Sequence, residues 1–428
     1  MLRPARLSAL VRAQVRGQAR GRARARVSGR LTARLAATAN RPLPALPAWL
    51  RRGPFRADAF RSPLRSTRLT SQLGVWLGIA FGICFATGLA SHLIQHPPGW
   101  FWWPSRPVWL YRLTQGLHVA TGLATVPLLG AKLWSVYPRL FSWPPARTVV
   151  HAVERGSVAV LVAAALFQVV TGILNVARWY PPMGFFFTTA HYWTAWLAIG
   201  ALLLHIAVQL PAIRRGLVDR ASEPATQGLS RRGLLGTVAA GAVVVTLATA
   251  GETVPALGRV SVLGPRRPDL GPQGLPVNTS ARAAQVVAAA TDPRYRLRLT
   301  GPAGTRMLSL ADLDALPQHT VALPIACVEG WSAGAVWTGI RLADLLALVG
   351  VPDGDVQVLV ESLQRNSRYA ASVLAPPHAR DPLTLLARRL RGEPLALDHG
   401  YPARLIAPNR PGVLQTKWVA AITVATRR

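Results

Sequence analysis

Five long apolar runs, at about 70–94, 108–131, 152–176, 190–211 and 233–251, constrain this 428-residue chain more than anything else in it. Each is near the roughly 20 residues that a helix needs to cross a bilayer, where only a structure that satisfies its own backbone can stand. Half of the residues are hydrophobic and only 15% are charged, which places the chain among membrane proteins. The prediction is an all-α transmembrane bundle of five spans, four of them in residues 69–215 and the fifth in 216–252. The connection after the second run carries Lys132, Arg139 and Arg147, and that after the fourth carries Arg214, Arg215, Arg220, Arg231 and Arg232. Positive residues stay inside, so the N-terminus is expected in the cytosol and everything after residue 251 outside. The outer connection from Gln95 to Pro104, with Trp100, Phe101, Trp102 and Trp103, fits an interfacial aromatic belt.

The net charge of +32 is uneven, because residues 1–68 hold seventeen arginines against one acid, Asp58. That segment reads as a disordered cytosolic arm that touches anionic lipid. Nucleic-acid binding is disfavoured: the arm has no groove-reading motif, and an apolar run follows it directly. With only two cysteines, Cys84 and Cys327, the chain cannot ligate an iron–sulfur cluster through four thiolates or form a Cys-rich zinc site. An electron carrier must therefore be held by histidine or be organic.

Histidines fall within the runs or at their edges, where an ionisable residue is costly and becomes a functional candidate, and four of them, His118, His151, His191 and His205, sort by depth. A lone buried histidine is more often structural; four at paired depths favour a ligand role. His191 and His205 are fourteen residues apart on the fourth run, about 21 Å along a helix and about 40° from the same face. By depth, His118 pairs with His191 near the outer surface and His151 with His205 near the inner one, two bis-histidine haem sites suited to electron transfer. Small residues, as in Gly116-Leu-His-Val-Ala-Thr-Gly122, would let a flat macrocycle approach. His92 and His96 are either interfacial or part of a quinone pocket. Residues 70–211 resemble the membrane cytochrome b subunits of formate dehydrogenase and hydrogenase type, in which one helix carries two ligands at this spacing. Those subunits place an inner ligand on the first span, where this chain offers only His151.

The fifth run opens with Ser230-Arg-Arg-Gly-Leu-Leu235. Two arginines there serve as inside-positive anchors or, equally, as a twin-arginine export signal, which suits a domain that takes up a cofactor before crossing. A glycine- and proline-rich linker, 253–277, leads to a soluble α+β domain over 278–428. Val321, Leu323 and Ile325 alternate up to Cys327, as do Val356, Val358 and Val360; Leu405-Ile406 and Val419–Val424 are further strands, and Leu342, Leu345, Leu346 and Val349 repeat at helical spacing. Cys327 then stands at a strand end entering a Gly/Ser/Trp loop. A lone thiol in an exported domain is either inert core or a ligand.

A single soft thiolate together with positive groups for a phosphate is what a molybdenum–pterin centre asks of a protein. Asp398-His-Gly-Tyr-Pro-Ala-Arg404 and Gln415-Thr-Lys-Trp418 supply such groups. Residues 278–428 resemble the sulfite oxidase superfamily of molybdopterin enzymes, whose Asp-His-Gly-Tyr/Phe-Pro-x-Arg segment and Lys-Trp pair both occur. The segment Cys327-Val-Glu-Gly-Trp-Ser332 is more similar to the periplasmic methionine-sulfoxide reductase catalytic subunits. The resemblance implies Cys327 as molybdenum ligand, with Asn278, Ser362, His399, Arg404, Gln415, Thr416 and Lys417 on the pterin. Where sulfite oxidases place an Asn-Arg pair for the substrate oxyanion, this chain has Glu329-Gly330.

The expectation is a membrane-anchored molybdopterin-dependent oxidoreductase, catalytic domain outside. It would exchange electrons between membrane quinone and a small or protein-bound oxo substrate of sulfoxide type, through two b haems. The same parts running in reverse would reduce quinone, and a cytochrome b with a non-catalytic outer domain is the remaining alternative.

Overall fold

The computed structural model describes residues 64–141, 148–218, 229–251 and 254–425, except Pro265, Pro268 and Asp269, and with them residues 59, 60, 62 and 146. The basic arm lies almost wholly outside the described residues, as do Arg147 and Arg220. Five helices follow the apolar runs within a few residues: α1 Thr67–Gln95, α2 Leu110–Val136, α3 Val149–Val176, α4 Phe187–Val218 and α5 Arg231–Ala250. All five are long and apolar enough to cross a membrane. Three begin on a hydroxyl cap: Ser66, Thr148 and Ser230 accept from the amides of Leu69, His151 and Gly233, each at 3.1 Å, occupying one of the first-turn donors that a helix leaves free. Ser230 of the twin-arginine-like segment is thus the start of α5. Helix α1 packs on α2 and α4, α3 on α4, and α2 on α5. Much of the apolar surface, Trp76, Leu203 and Val244 included, stays uncovered by protein.

The C-terminal part is α+β with two sheets. The first has the order β2 (Gly304–Leu308), β1 (Leu297–Gly301), β10 (Val419–Ala425), β5 (Gln357–Ser362), β6 (Ala371–Leu374). Only the β1/β10 pair in it is parallel. The second runs β3 (His319–Ala326), β4 (Ser332–Arg341), β7 (Leu385–Leu390), β8 (Glu393–Pro394), with β9 (Arg404–Ile406) also on β7. All the strands expected from alternation are present. The helical repeat at 342–349 is α6 (Leu342–Leu348), whose Leu342, Leu345 and Leu346 are buried with Val358, Val360 and Ile422 in one core. A second core gathers Leu323, Ile325, Trp337, Leu385 and Cys327.

The soluble unit starts earlier than the linker composition implied. Leu275 is fully buried in the second core, and the Gln273 side chain donates to Leu390 O and Pro394 O while accepting from Ala396 N. One apolar residue and one amide, set among glycines and prolines, are too sparse a pattern to register as domain.

The two parts are docked. Arg106, before α2, forms a two-pronged ion pair with Asp381 at 2.9 and 3.0 Å. Asn409 accepts from the Tyr111 amide at 2.6 Å and donates to Pro104 O at 2.7 Å. Trp109, at the start of α2, makes no side-chain cap of its own, so Asn409 caps that helix from the other domain.

Candidate functional site

Strand β3 delivers Cys327 to a tight turn that leads straight into β4. The turn is closed by Cys327 N to Trp331 O at 2.8 Å and Gly330 N to Cys327 O at 3.1 Å, with Gly330 at φ +97°, where a side chain would be strained. Two donors address the sulfur: the Asn278 amide at 2.9 Å and the Glu329 backbone N–H at 3.4 Å. Burial, then the Glu329 carboxylate, pushes the thiol up to about 12, so without a metal it holds its proton at neutral pH.

A cleft of about 110 Å³ opens beside it, lined by Cys327 and by all seven residues that the resemblance assigned to the pterin: Asn278, Ser362, His399, Arg404, Gln415, Thr416 and Lys417. Neighbouring elements bring them together. Ser362 ends β5 and its hydroxyl donates to Lys417 O at 2.7 Å, just before β10 begins. Thr416 shares a hydroxyl contact of 2.8 Å with Ser372 on β6. The His399 ring Nε2 donates to Pro272 O at 2.7 Å, and burial holds this imidazole down to about 4, hence neutral.

The charges in this cleft are unbalanced. Arg404 is 6% exposed, its Nη1 donates to His399 O at 3.2 Å, and its Nε has no partner; burial draws it down to about 9. Lys417 Nζ donates to the carbonyls of Thr279 and Asp398 at 2.5 and 3.0 Å, and burial followed by Arg404 draws it down to about 7. Neither cation has an ion pair among the described residues. Gln415 Oε1 and Asn278 Oδ1 are also buried without a partner. Buried cations and orphaned polar atoms around a thiol are costly unless something anionic and hydrogen-bonding fills the space. The residues fit a phosphate-bearing, sulfur-ligated cofactor.

In the bundle, His118 on α2 and His191 on α4 face each other with ring centroids 6.3 Å apart. Each is held through Nδ1, His118 by Cys84 O at 2.8 Å and His191 by the Thr171 hydroxyl at 3.1 Å, which leaves Nε2 of each as the free nitrogen. Two imidazoles, each tethered through Nδ1, thus stand close together inside the bundle. Gly88 lies against His118, where an added Cβ would stand 2.7 Å from Cε1, and Gly172 lies 3.8 Å from the corresponding atom of His191. The glycine that makes room is thus Gly88, whereas a Cβ at Gly172 would make only an ordinary contact and Gly116 faces open space. The cavity, about 200 Å³, is lined by both histidines and reaches His92 and His96; His92 stacks on Tyr192 at 3.6 Å.

His151 and His205, expected as the inner pair, are offset along the helix axes. Glu154 of α3 is hydrogen-bonded to Gln209 of α4, and Thr171 to His191, so residues opposite each other on these antiparallel helices sum to about 362. His205 is then level with about residue 157, and His151 lies six residues, about 9 Å, further along the axis. Depth counted along each run separately ignored the offset between the runs.

The two regions meet at the cysteine turn. Gln115, one turn from His118, donates to Val328 O at 3.0 Å, and Val119 seats Gly330 so closely that an added Cβ would stand 2.8 Å from Cγ2. Gln115 and Val328 both line the cavity of the histidine pair. Sequence reasoning passed over Trp331, Tyr369 and Gln364, which also line the cleft, and Arg178, which pairs with Glu329 at 3.3 Å. The first three sit in loops without periodicity, and Arg178 resembled one more loop charge.

Residues 283–428 match the family described as oxidoreductase molybdopterin binding domain. The mitochondrial sulfite oxidase of Drosophila melanogaster is 35% identical over 157 residues, 31% of this chain and 27% of that protein. That of Mus musculus is 34% identical over 161 residues, 31% of this chain and 30% of that protein. This chain spans less than a third of the length of either. The crystal structure of the sulfane dehydrogenase SoxCD from Paracoccus pantotrophus aligns at a TM-score of 0.30 with 22% identity, over 37% of this chain and 44% of that one, too slight a likeness to build on. Residues 283–428 thus match the oxidoreductase molybdopterin binding domain and are similar to part of the sulfite oxidases, and the matched stretch holds the buried thiol and most of the cleft with its unbalanced cations.

Proposed function

We propose that this chain is a membrane-anchored molybdenum enzyme that exchanges electrons between quinone and an extracytoplasmic substrate through one b haem, reducing a sulfoxide-type or related oxo group. The observation that carries the reading is the hydrogen bond from Gln115 to Val328 O, which joins the helix of His118 to the turn of Cys327. When bound, the molybdenum–pterin centre supplies oxo transfer and the haem single-electron transfer. The chain's own residues prepare both. Cys327 releases its proton on becoming a ligand, with the Asn278 amide and the Glu329 N–H turned to its sulfur. Arg404 and Lys417 neutralise the pterin phosphate, and Ser362, His399, Gln415 and Thr416 orient the ring system. His118 and His191 would hold the haem from two helices. His92, His96 and Tyr192 border the same cavity and receive the quinone head group. Uncovered apolar faces on five helices, and basic residues in the even connections, favour a bilayer location with the C-terminal domain outside; Arg231 and Arg232 then mark the export segment.

Glu329-Gly330 stands where sulfite oxidases place the Asn-Arg pair that binds the substrate oxyanion, which supports a neutral substrate over an anionic one such as sulfite. The test is a purified full chain assayed for molybdenum and for a b-type redox-difference spectrum, with sulfoxides, N-oxides and sulfite screened against an artificial dye. Cys327→Ser is expected to lower turnover at least a thousandfold with the haem spectrum intact, and His191→Ala to remove that spectrum. Well-folded, haem-replete protein without molybdenum or tungsten would sink the assignment.

A further inference from the structure

We propose that Arg178, which the helical bundle contributes, is a positioning residue for the Cys327 turn, and that through it the bundle fixes where the sulfur stands. Arg178 lies in the connection between α3 and α4, two residues past the end of α3, with a left-handed backbone at φ +55° and its N–H on Asn175 O at 3.1 Å. This left-handed residue closes the end of α3, with the Trp179 N–H on Leu174 O at 2.9 Å, and its side chain runs on to two anchors. The anchors are both in the other domain. Nε stands 3.3 Å from Glu329 Oε1, and Nη2 donates to the backbone carbonyl of Asn278 at 2.9 Å.

Those two residues are the ones whose N–H groups address the sulfur: Asn278 through its side-chain amide at 2.9 Å and Glu329 through its backbone at 3.4 Å. One guanidinium therefore grips both hydrogen-bond donors to Cys327, from outside the domain that contains them. Glu329 is 8% exposed, and its other carboxylate oxygen accepts from the Trp331 indole at 3.2 Å. Among the described residues Arg178 is its one ion-pair partner. A carboxylate that deep needs a cation beside it, so the turn is complete only while the bundle is docked. The guanidinium reaches both at once, through an ion pair at Nε and a hydrogen bond from Nη2, which a single ammonium on a flexible stem reproduces only in part. The departure from the Asn-Arg pair of sulfite oxidases thus has a structural use, since Glu329 ties the turn to the helices.

This inference rests on the reading of Cys327 as the metal ligand, and two measurements on the full chain keep the two apart. In cofactor-free protein, backbone hydrogen exchange at 327–331 is expected to rise at least tenfold in Arg178→Gln and in Glu329→Gln, with Arg178→Lys between them and wild type and amides in β7 and β10 unchanged. In cofactor-loaded protein, the electron paramagnetic resonance of the metal is expected to shift in Arg178→Gln and to return towards wild type in Arg178→Lys. Unchanged exchange at 327–331 in both glutamine variants overturns the proposal whatever the metal content, and so does an unchanged metal signal in Arg178→Gln when the metal is present. Wild-type protein without metal refutes the molybdenum reading alone, and exchange then decides whether Arg178 holds the turn.

Discussion

Lys417 and Arg404 show most directly what the cleft is built to receive. Each is charged in water, yet inside the protein burial favours the neutral form, and Lys417 comes down to about 7. For cofactor-free protein the sign follows from linkage. Below pH 7 the folded and unfolded chains both hold the Lys417 proton and the burial penalty is full; above it only the unfolded chain does, so stability rises with pH. Between pH 7 and 9 the rise is on the order of 1 kcal/mol per pH unit. Thermal melting of cofactor-free protein across that window should show the rise, and Lys417→Met should flatten it. With a phosphate-bearing pterin bound, the slope should vanish in wild type as well, because the anion keeps Lys417 charged.

At the level of elements, the runs of apolar residues and the strand alternation were legible because each is a local pattern with one period. The exceptions were interior glycines, whose use depends on what stands opposite. Gly88 is such a case: a side chain there collides with the His118 ring, which Cys84 O prevents from swinging away. Gly88→Val is expected to remove the b-type absorbance while leaving molybdenum content near wild type. The two quantities, measured on one sample, would refute the histidine pairing if the absorbance survived. Helices α3 and α4 teach the complementary lesson. His191 and His205 were placed correctly on one helix by spacing alone, but the level of His151 depended on the register between two helices, and spacing says nothing of that.

For the whole molecule, docking is part of folding. Asn409 caps α2 from the soluble domain, Trp103 Nε1 donates to Asn409 O at 3.0 Å, and Arg106 pairs with the well-buried Asp381. Asn409→Ala should cost about 1 kcal/mol, the usual worth of a helix cap. The loss should appear as faster hydrogen exchange at Tyr111, whose amide loses its acceptor, with the distant amides of β1 and β2 unaffected; equal exchange at Tyr111 would mean that the cap contributes nothing.

Much of the cofactor cleft was readable beforehand. Cys327 and the seven residues predicted to surround the pterin line one cleft, since short motifs carry their chemistry in neighbouring positions that a turn or strand end keeps together. The five helices were likewise determined by the chain alone, because an apolar run of bilayer length has few other ways to satisfy its backbone. Only the tertiary structure decided that Arg178 reaches Glu329, that Gln115 meets Val328, that Asn409 caps α2 and that His151 misses the level of His205. Each of these joins residues far apart in sequence, or on separately rotating helices, and is settled by how packed surfaces meet, which no local periodicity encodes.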